Sequence, residues 1–319
     1  MKAAVYDKAG PPGVLKYVEL PDPAVKSDGV LISVEAISIE GGDLINRRLN
    51  TPPHPLWTLG FAAAGVIQAV GSCIENRKIG DRVAAFDMHG SHAELWAVPA
   101  TRTWLIPDGV ATRDAAVSTI AFGTANHCLF ARAGVQRGET VLIQAAAGGL
   151  GVAAVQLAAL AGAHVLAVAS GAARCRKLQA LGAYHAIDRA TCDVVGEVMR
   201  ITGNRGVDVA LDPIGTTLHA SIAALAPEGR LVFVGNAGGG AMDVDLWAPM
   251  QSNQALFGVF MGTLFEKPTV WSMVDRMFKA LAAKRIQAVI DRTFPLSQAA
   301  FAHEYAEREK PFGRVVLRP

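Results

Sequence analysis

The chain has 319 residues, of which 51% are hydrophobic and 18% charged. That balance excludes a disordered chain and leaves room for two domains. The 30 basic and 28 acidic residues leave a formal net charge of +2, which offers no electrostatic footprint for nucleic acid or an anionic membrane.

The start, Met1-Lys2-Ala3-Ala4-Val5-Tyr6, runs straight into a strand pattern, without the apolar stretch and cleavage site of a secretory leader. No apolar run reaches the ~18 residues of a membrane span without a charge or glycine break. A cytoplasmic protein is expected. Cys73, Cys128, Cys175 and Cys192 contain no C-x-x-C pair, so unpaired thiols are expected rather than a zinc centre.

The first third reads as β-rich. Val30–Ala36, Ala63–Gly71 and Asp81–Phe86 are short strand-like runs divided by Pro and Gly clusters, which suggests a barrel. Thr51–Pro55 is a loop, because its prolines sustain neither helix nor ladder. An Ala-rich helical stretch begins at Arg113. From about residue 139 strands and helices alternate, with strands at Glu139–Gln144, His164–Ala169, Val207–Asp212 and Arg230–Gly235. Helices are expected at Val152–Leu160 and Arg174–Leu181. This alternation predicts a parallel, doubly wound α/β sheet. A longer helix spans Val270–Lys284, and Gly313–Leu317 is a final strand.

The strand ending at Gln144 leads into Ala145-Ala146-Ala147-Gly148-Gly149-Leu150-Gly151 and then an apolar helix. Strand, glycine turn and helix in that order are the context of a dinucleotide-binding fingerprint. Small residues let the backbone approach a pyrophosphate, and the helix N-terminus offers it free N–H groups. Ala145 stands where the strict pattern has glycine. The next strand ends at Ser170, where an NAD site has an acid to hold the ribose 2′-hydroxyl. Ser170 with Arg174 suits a 2′-phosphate instead, so NADP(H) is the expected cofactor.

Several segments together resemble the zinc-free quinone oxidoreductase (ζ-crystallin-like) branch of the medium-chain dehydrogenase/reductase superfamily. They are Gly80-Asp81-Arg82-Val83, the Ala145–Ala158 run, Leu211-Asp212-Pro213-Ile214-Gly215 and Gly229–Asn236. The resemblance implies a GroES-like β-barrel over 1–118, completed by 290–319, and a Rossmann NADP-binding domain over 119–289. It implies a homodimer or homotetramer, assembled through the Rossmann sheet. It places Thr124 near the nicotinamide ribose and amide, and Arg189 beside Ser170 and Arg174 in the 2′-phosphate pocket. Ile214, Val234, Gly235 and Asn236 fall in the segments beside the nicotinamide, with Phe257–Phe260 closing over it.

Zinc alcohol dehydrogenases of the superfamily use a Cys and a Gly-His-Glu motif. The corresponding segments here are Ser38–Asp43 and Gly60-Phe61-Ala62, and Phe61 cannot ligate a metal. No metal site is expected, and His54, His89 and His92 are read as structural or surface residues. Without a Lewis acid, the expected acceptors are quinones or α,β-unsaturated carbonyls. Where the branch commonly carries Asn in Asn-x-x-Asp, this chain has Glu40 before Asp43. Glu40 is expected to line the active site by binding a ribose hydroxyl, by donating a proton or by selecting the acceptor. A rim residue facing water is the alternative. Thr124 and Glu40 are thus the catalytic candidates, with Asp43 supporting its loop. Two other functions stay open: a non-catalytic NADPH-binding protein, and a zinc-type alcohol dehydrogenase relative with another carbonyl substrate.

Overall fold

The computed structural model describes residues 1–319. Its first strands are β1 (Lys2–Tyr6), β2 (Lys16–Glu19) and β3 (Gly29–Ile39), followed by helix α1 (Gly41–Leu49). Then come β4 (Trp57–Thr58), β5 (Ala62–Val70), β6 (Arg82–Phe86), β7 (Leu95–Pro99), β8 (Thr103–Leu105) and α2 (Thr112–Asn126). The alternating stretch is β9 (Thr140–Ile143), α3 (Gly149–Leu160), β10 (His164–Ala169), α4 (Ala172–Ala180), β11 (His185–Asp188) and α5 (Val194–Thr202). It continues with β12 (Val207–Asp212), α6 (Leu218–Ala223), β13 (Leu225–Phe233), α7 (Trp247–Gln251) and β14 (Ala255–Gly258). The last elements are α8 (Pro268–Ala282), β15 (Ile290–Pro295), α9 (Ala299–Arg308) and β16 (Arg314–Arg318).

Contacts divide the chain into two compact units, Met1–Gly123 with Gly262–Pro319, and Thr124–Met261. In the first unit, β3 pairs antiparallel with β5, β7 and β16, and Ile37 and Ile39 stand opposite Leu317 and Val315. Alternate residues Val30, Ile32 and Val34 point inward and meet Ile67, Val83, Trp96 and Val98 in one core. Ile32, Ile37 and Ile67 are each no more than 1% exposed, and each contributes roughly 1.5–3 kcal/mol by leaving water. Helix α8 belongs here by its contacts. Trp271 stacks on Trp104 at 6.3 Å, and the two indole N–H groups donate to Thr103 O and Trp271 O. The expected Rossmann boundaries of 119–289 include this helix, whereas its contacts group it with the first unit. An amphipathic helical pattern fixes the helix but not the surface it covers.

The second unit holds a six-stranded parallel sheet in the order β11-β10-β9-β12-β13-β14. This is the doubly wound order, and it reverses between β9 and β12. Residues Val165–Ala169 of β10 are all buried, as expected for strands covered on both faces. Strand β13 starts earlier than the Arg230 expected from sequence. Ala226-Pro227-Glu228-Gly229 reads as a break, and Glu228 does adopt φ +61, yet Leu225 already pairs with Val207 ahead of that bulge.

Candidate functional site

The glycine loop joins β9 to α3 at the carboxyl edge of the sheet. Ala145 takes φ +48, a left-handed conformation that favours glycine. Gly151 has no room for a side chain, since a Cβ would lie 2.5 Å from both Ala145 O and Ala146 Cα. A Cβ on Gly148 would meet only Ala145 O, at 3.5 Å. Thus Gly151 lets α3 pack on the strand, while Gly148 leaves the loop's other side open. Gly148 caps α3 without a side-chain hydrogen bond, so no side chain there competes with an anion for the first N–H groups.

At the end of β10 the chain turns through Ser170 and Gly171 into α4. Arg189 Nε donates to Ser170 Oγ at 2.9 Å, and Arg174 Nη1 donates to Ser170 O at 3.3 Å. The nearby carboxylate, Asp188, is committed to backbone. Its Oδ1 accepts from Gly171 N–H at 2.9 Å and Ala190 N–H at 3.0 Å, and these bonds hold its pKa below the usual aspartate value. Two guanidiniums at one residue, Arg189 on its hydroxyl and Arg174 on its carbonyl, with open space beyond Gly171, fit a phosphate dianion.

Across the reversal point, β12 and β13 end in two loops that hydrogen-bond to each other. Val234 N–H donates to Asp212 O at 2.9 Å, Ala237 N–H to Pro213 O at 3.2 Å and Gly238 N–H to Ile214 O at 2.8 Å. These loops carry Ile214, Val234, Gly235 and Asn236. Asn236 Nδ2 donates to Gly240 O at 2.8 Å, while its Oδ1 is buried without a donor and is free to accept from a ligand N–H. Thr124 is buried in α2, and Phe257 lies under Arg132 at 5.1 Å. Sequence reasoning missed Asp212, whose carboxylate organises the first of these loops; its signal is an acid at a strand end with hydroxyls at Thr217 and Ser221.

In the first unit Glu40 begins α1 and is only 2% exposed, so it is not a rim residue facing water. Ser38 Oγ donates to Glu40 Oε1 at 2.6 Å, and Arg314 of β16 forms an ion pair with Oε2. Burial pushes the Glu40 carboxyl up, against the lowering effect of Arg314 and Ser38. Asp43 Oδ2 accepts from Glu40 N–H at 2.8 Å, and burial together with the Glu40 charge holds the Asp43 carboxyl well above the usual range. Two acids share one cation. Arg314 was missed from sequence because nothing local marks it.

The expected zinc ligands are replaced. The Phe61 ring occupies the space a Cβ on Gly42 would need, at 2.4 Å. No group of three or more His, Cys, Asp or Glu side chains stands together as a metal cage. His54 and His89 pack on Trp57, with ring centroids 4.9 and 4.2 Å from it. His92 and His303 meet Nε2 to Nε2 at 3.1 Å in the core, where burial lowers His92 to about 3. Asp245 accepts from Trp247 N–H at 2.9 Å, a loop role. Cys128 is fully buried, and its thiol is pushed up to about 12.

Residues 26–108 match the family model described as "Alcohol dehydrogenase GroES-like domain", and residues 149–280 match "Zinc-binding dehydrogenase". The chain is 30% identical to human "Synaptic vesicle membrane protein VAT-1 homolog" over 93% of its own length and 80% of that protein. It is 30% identical to "2-haloacrylate reductase" of a Burkholderia species, over 100% of its own length and 99% of that enzyme. The structure of Escherichia coli quinone oxidoreductase complexed with NADPH superposes with a TM-score of 0.95, at 27% identity over 100% of both chains.

Proposed function

The chain belongs to the zinc-free quinone oxidoreductase branch of the medium-chain dehydrogenase/reductase superfamily, and we propose that it is an NADPH-dependent reductase of quinones or α,β-unsaturated carbonyls. The observation that carries the cofactor choice is the corner at Ser170, where Arg174 and Arg189 converge and the one nearby carboxylate is tied to backbone N–H groups.

Ala145, Gly148, Gly149, Leu150 and Gly151 hold the pyrophosphate, with the first N–H groups of α3 turned toward it. Ser170, Arg174 and Arg189 hold the 2′-phosphate. Ile214, Val234, Gly235 and Asn236 position the nicotinamide half, and the free Oδ1 of Asn236 suits its carboxamide. Thr124 is assigned beside the nicotinamide ribose. The bound cofactor supplies a hydride from nicotinamide C4 to the acceptor. The protein's share is to keep both partners in register and to place hydrogen-bond donors or water where charge develops on the acceptor oxygen.

Glu40 enters this reading in a narrower role than a free acid. With both carboxylate oxygens engaged by Ser38 and Arg314, it positions Arg314 and the start of α1. The lack of a metal-ligating side chain at Phe61 supports acceptors that need no Lewis acid. We place the protein in the cytoplasm, a compartment that its four unpaired cysteines suit. Homodimers are proposed through the second unit's sheet, where β14 is an edge strand.

Steady-state NADPH oxidation against a panel of quinones and a panel of enones tests the proposal. Turnover is expected with at least one class. Tight NADPH binding with no turnover on either panel would leave a non-catalytic binding protein and overturn the enzyme reading.

A further inference from the structure

Asp212 is 0% exposed at the end of β12, and the proposed cofactor contacts do not include its side chain. A carboxylate taken wholly out of water costs several kcal/mol unless its oxygens are hydrogen-bonded. Here four donors converge on it. Oδ1 accepts from Ile214 N–H at 2.8 Å and Gly215 N–H at 3.1 Å, while Oδ2 accepts from Thr217 Oγ1 at 2.6 Å and Ser221 Oγ at 2.7 Å. The network then crosses the point where the strand order reverses. Gln144, the last residue before the glycine loop, donates its side-chain N–H to Ser221 Oγ at 3.3 Å and its backbone N–H to Leu211 O at 2.9 Å.

The turn that Asp212 holds is conformationally demanding. Gly215 adopts φ +84, and a Cβ there would lie 2.5 Å from Asn236 Oδ1. The Asp212 turn and Asn236 therefore stand close enough together that only a glycine fits between them. The backbone bonds from Val234, Ala237 and Gly238 into residues 212–214 transmit the same constraint to the neighbouring loop. The 2′-phosphate corner lies on the other side of the reversal point, at the ends of β10 and β11, and shares none of these bonds.

We infer that Asp212 is a positioning residue for the nicotinamide half of the cofactor, fixing the Ile214–Gly215 turn and through it Asn236, while leaving the adenosine half untouched. This rests on the dinucleotide reading proposed above. Doubly wound sheets bind the two mononucleotide halves on opposite sides of the reversal point, so damage to one side reads out selectively. A buried carboxylate serving only as a fold support would show no such selectivity.

The test compares two ligands on the purified full chain: NADPH, and adenosine 2′,5′-bisphosphate, which carries the 2′-phosphate half but no nicotinamide. Calorimetric dissociation constants are measured for wild type, Asp212→Asn and Thr217→Val, with melting temperatures alongside. Asp212→Asn is expected to weaken NADPH by about tenfold or more and the bisphosphate by less than about twofold. Thr217→Val removes one of the four donors at constant shape, and a smaller loss of the same selectivity is expected. Should Asp212→Asn fail to fold, Thr217→Val alone decides. Parallel losses for both ligands, or no loss for NADPH, would overturn the inference. Wild type binding neither ligand would instead overturn the cofactor reading.

Discussion

The two units place their charged groups in opposite ways. In the second unit the charged groups of the candidate cofactor site stand at the carboxyl edge of the sheet, around loops that end strands. Ser170, Arg174, Asp188 and Arg189 are all partly or fully exposed, and the wholly buried Asp212 sits directly beneath a loop. In the first unit the charges are inside. Glu40, Asp43 and Arg47 are all no more than 2% exposed, as are the neutral His92 and His303, and each must find its partner within the core. The first arrangement keeps cations at the surface. The second commits charge to holding distant segments together, as Arg314 does for Glu40, and as Glu307 does for Arg47 in another ion pair. The difference teaches that a perturbed carboxyl is not by itself a catalytic one; what it is bonded to decides.

The largest effect that breaks the comparison comes from Gly151→Val. Its side chain has no space against Ala145 O and Ala146 Cα, so α3 must lift from the sheet. Overpacking of this kind destabilises by about 1–3 kcal/mol or more. NADPH binding is expected to be lost, with the earlier unfolding transition seen in hydrogen exchange of the second unit. Exchange that accelerates equally everywhere would contradict a local effect.

A change of pH sharpens the contrast from the other side. His92 and His303 are held neutral by burial, their pKa values lowered, His92 to about 3. Unfolded histidine takes its proton near pH 6.5, so their stabilisation is complete above that pH and is lost as pH falls below it, for His92 down to about 3. His92 contributes a slope of about 1.4 kcal/mol per pH unit in that window. The second unit contains no fully buried histidine. Melting followed between pH 7 and pH 4 is therefore expected to weaken the first unit's exchange protection first. A Phe at both positions, as in the double variant His92→Phe/His303→Phe, should flatten the dependence if it folds; an unchanged slope would assign it elsewhere.

The smallest effect is at Ala145. Replacing it with glycine relieves the left-handed alanine at φ +48 but frees the unfolded chain, so the two contributions oppose each other. Ala145→Gly is expected to change stability by less than about 1 kcal/mol and to keep NADPH affinity within about twofold. A large loss of affinity would mean that the alanine methyl itself contacts the cofactor.

These particular residues show how far the sequence could be read. His164–Ala169 and Val207–Asp212 are legible to the residue, because strands buried on both faces are largely apolar runs between turn signals. The strand–turn–helix frame of the glycine loop and the Ser170–Arg174 contact are local along the chain, and their assignment to a cofactor is the proposal made above. What escaped depends on long-range pairing. Glu40 meets Arg314, and His92 meets His303, only after the C-terminal segment has folded onto the first third, and no local pattern announces either contact. The surface that helix α8 covers is equally silent in its own sequence, for the same reason. Asp212 lies in one of the segments that carry the resemblance, yet its four donors are visible only in three dimensions.

The central claim is that the Ser170 corner selects NADPH, and the most direct measurement is a pair of dissociation constants, for NADPH and NADH, on wild type and on Arg174→Ala. Wild type is expected to prefer NADPH by about tenfold or more, and the variant to lose about 10–100-fold for NADPH while NADH stays within about twofold. Equal losses for the two cofactors, or a wild-type preference for NADH, would contradict the account.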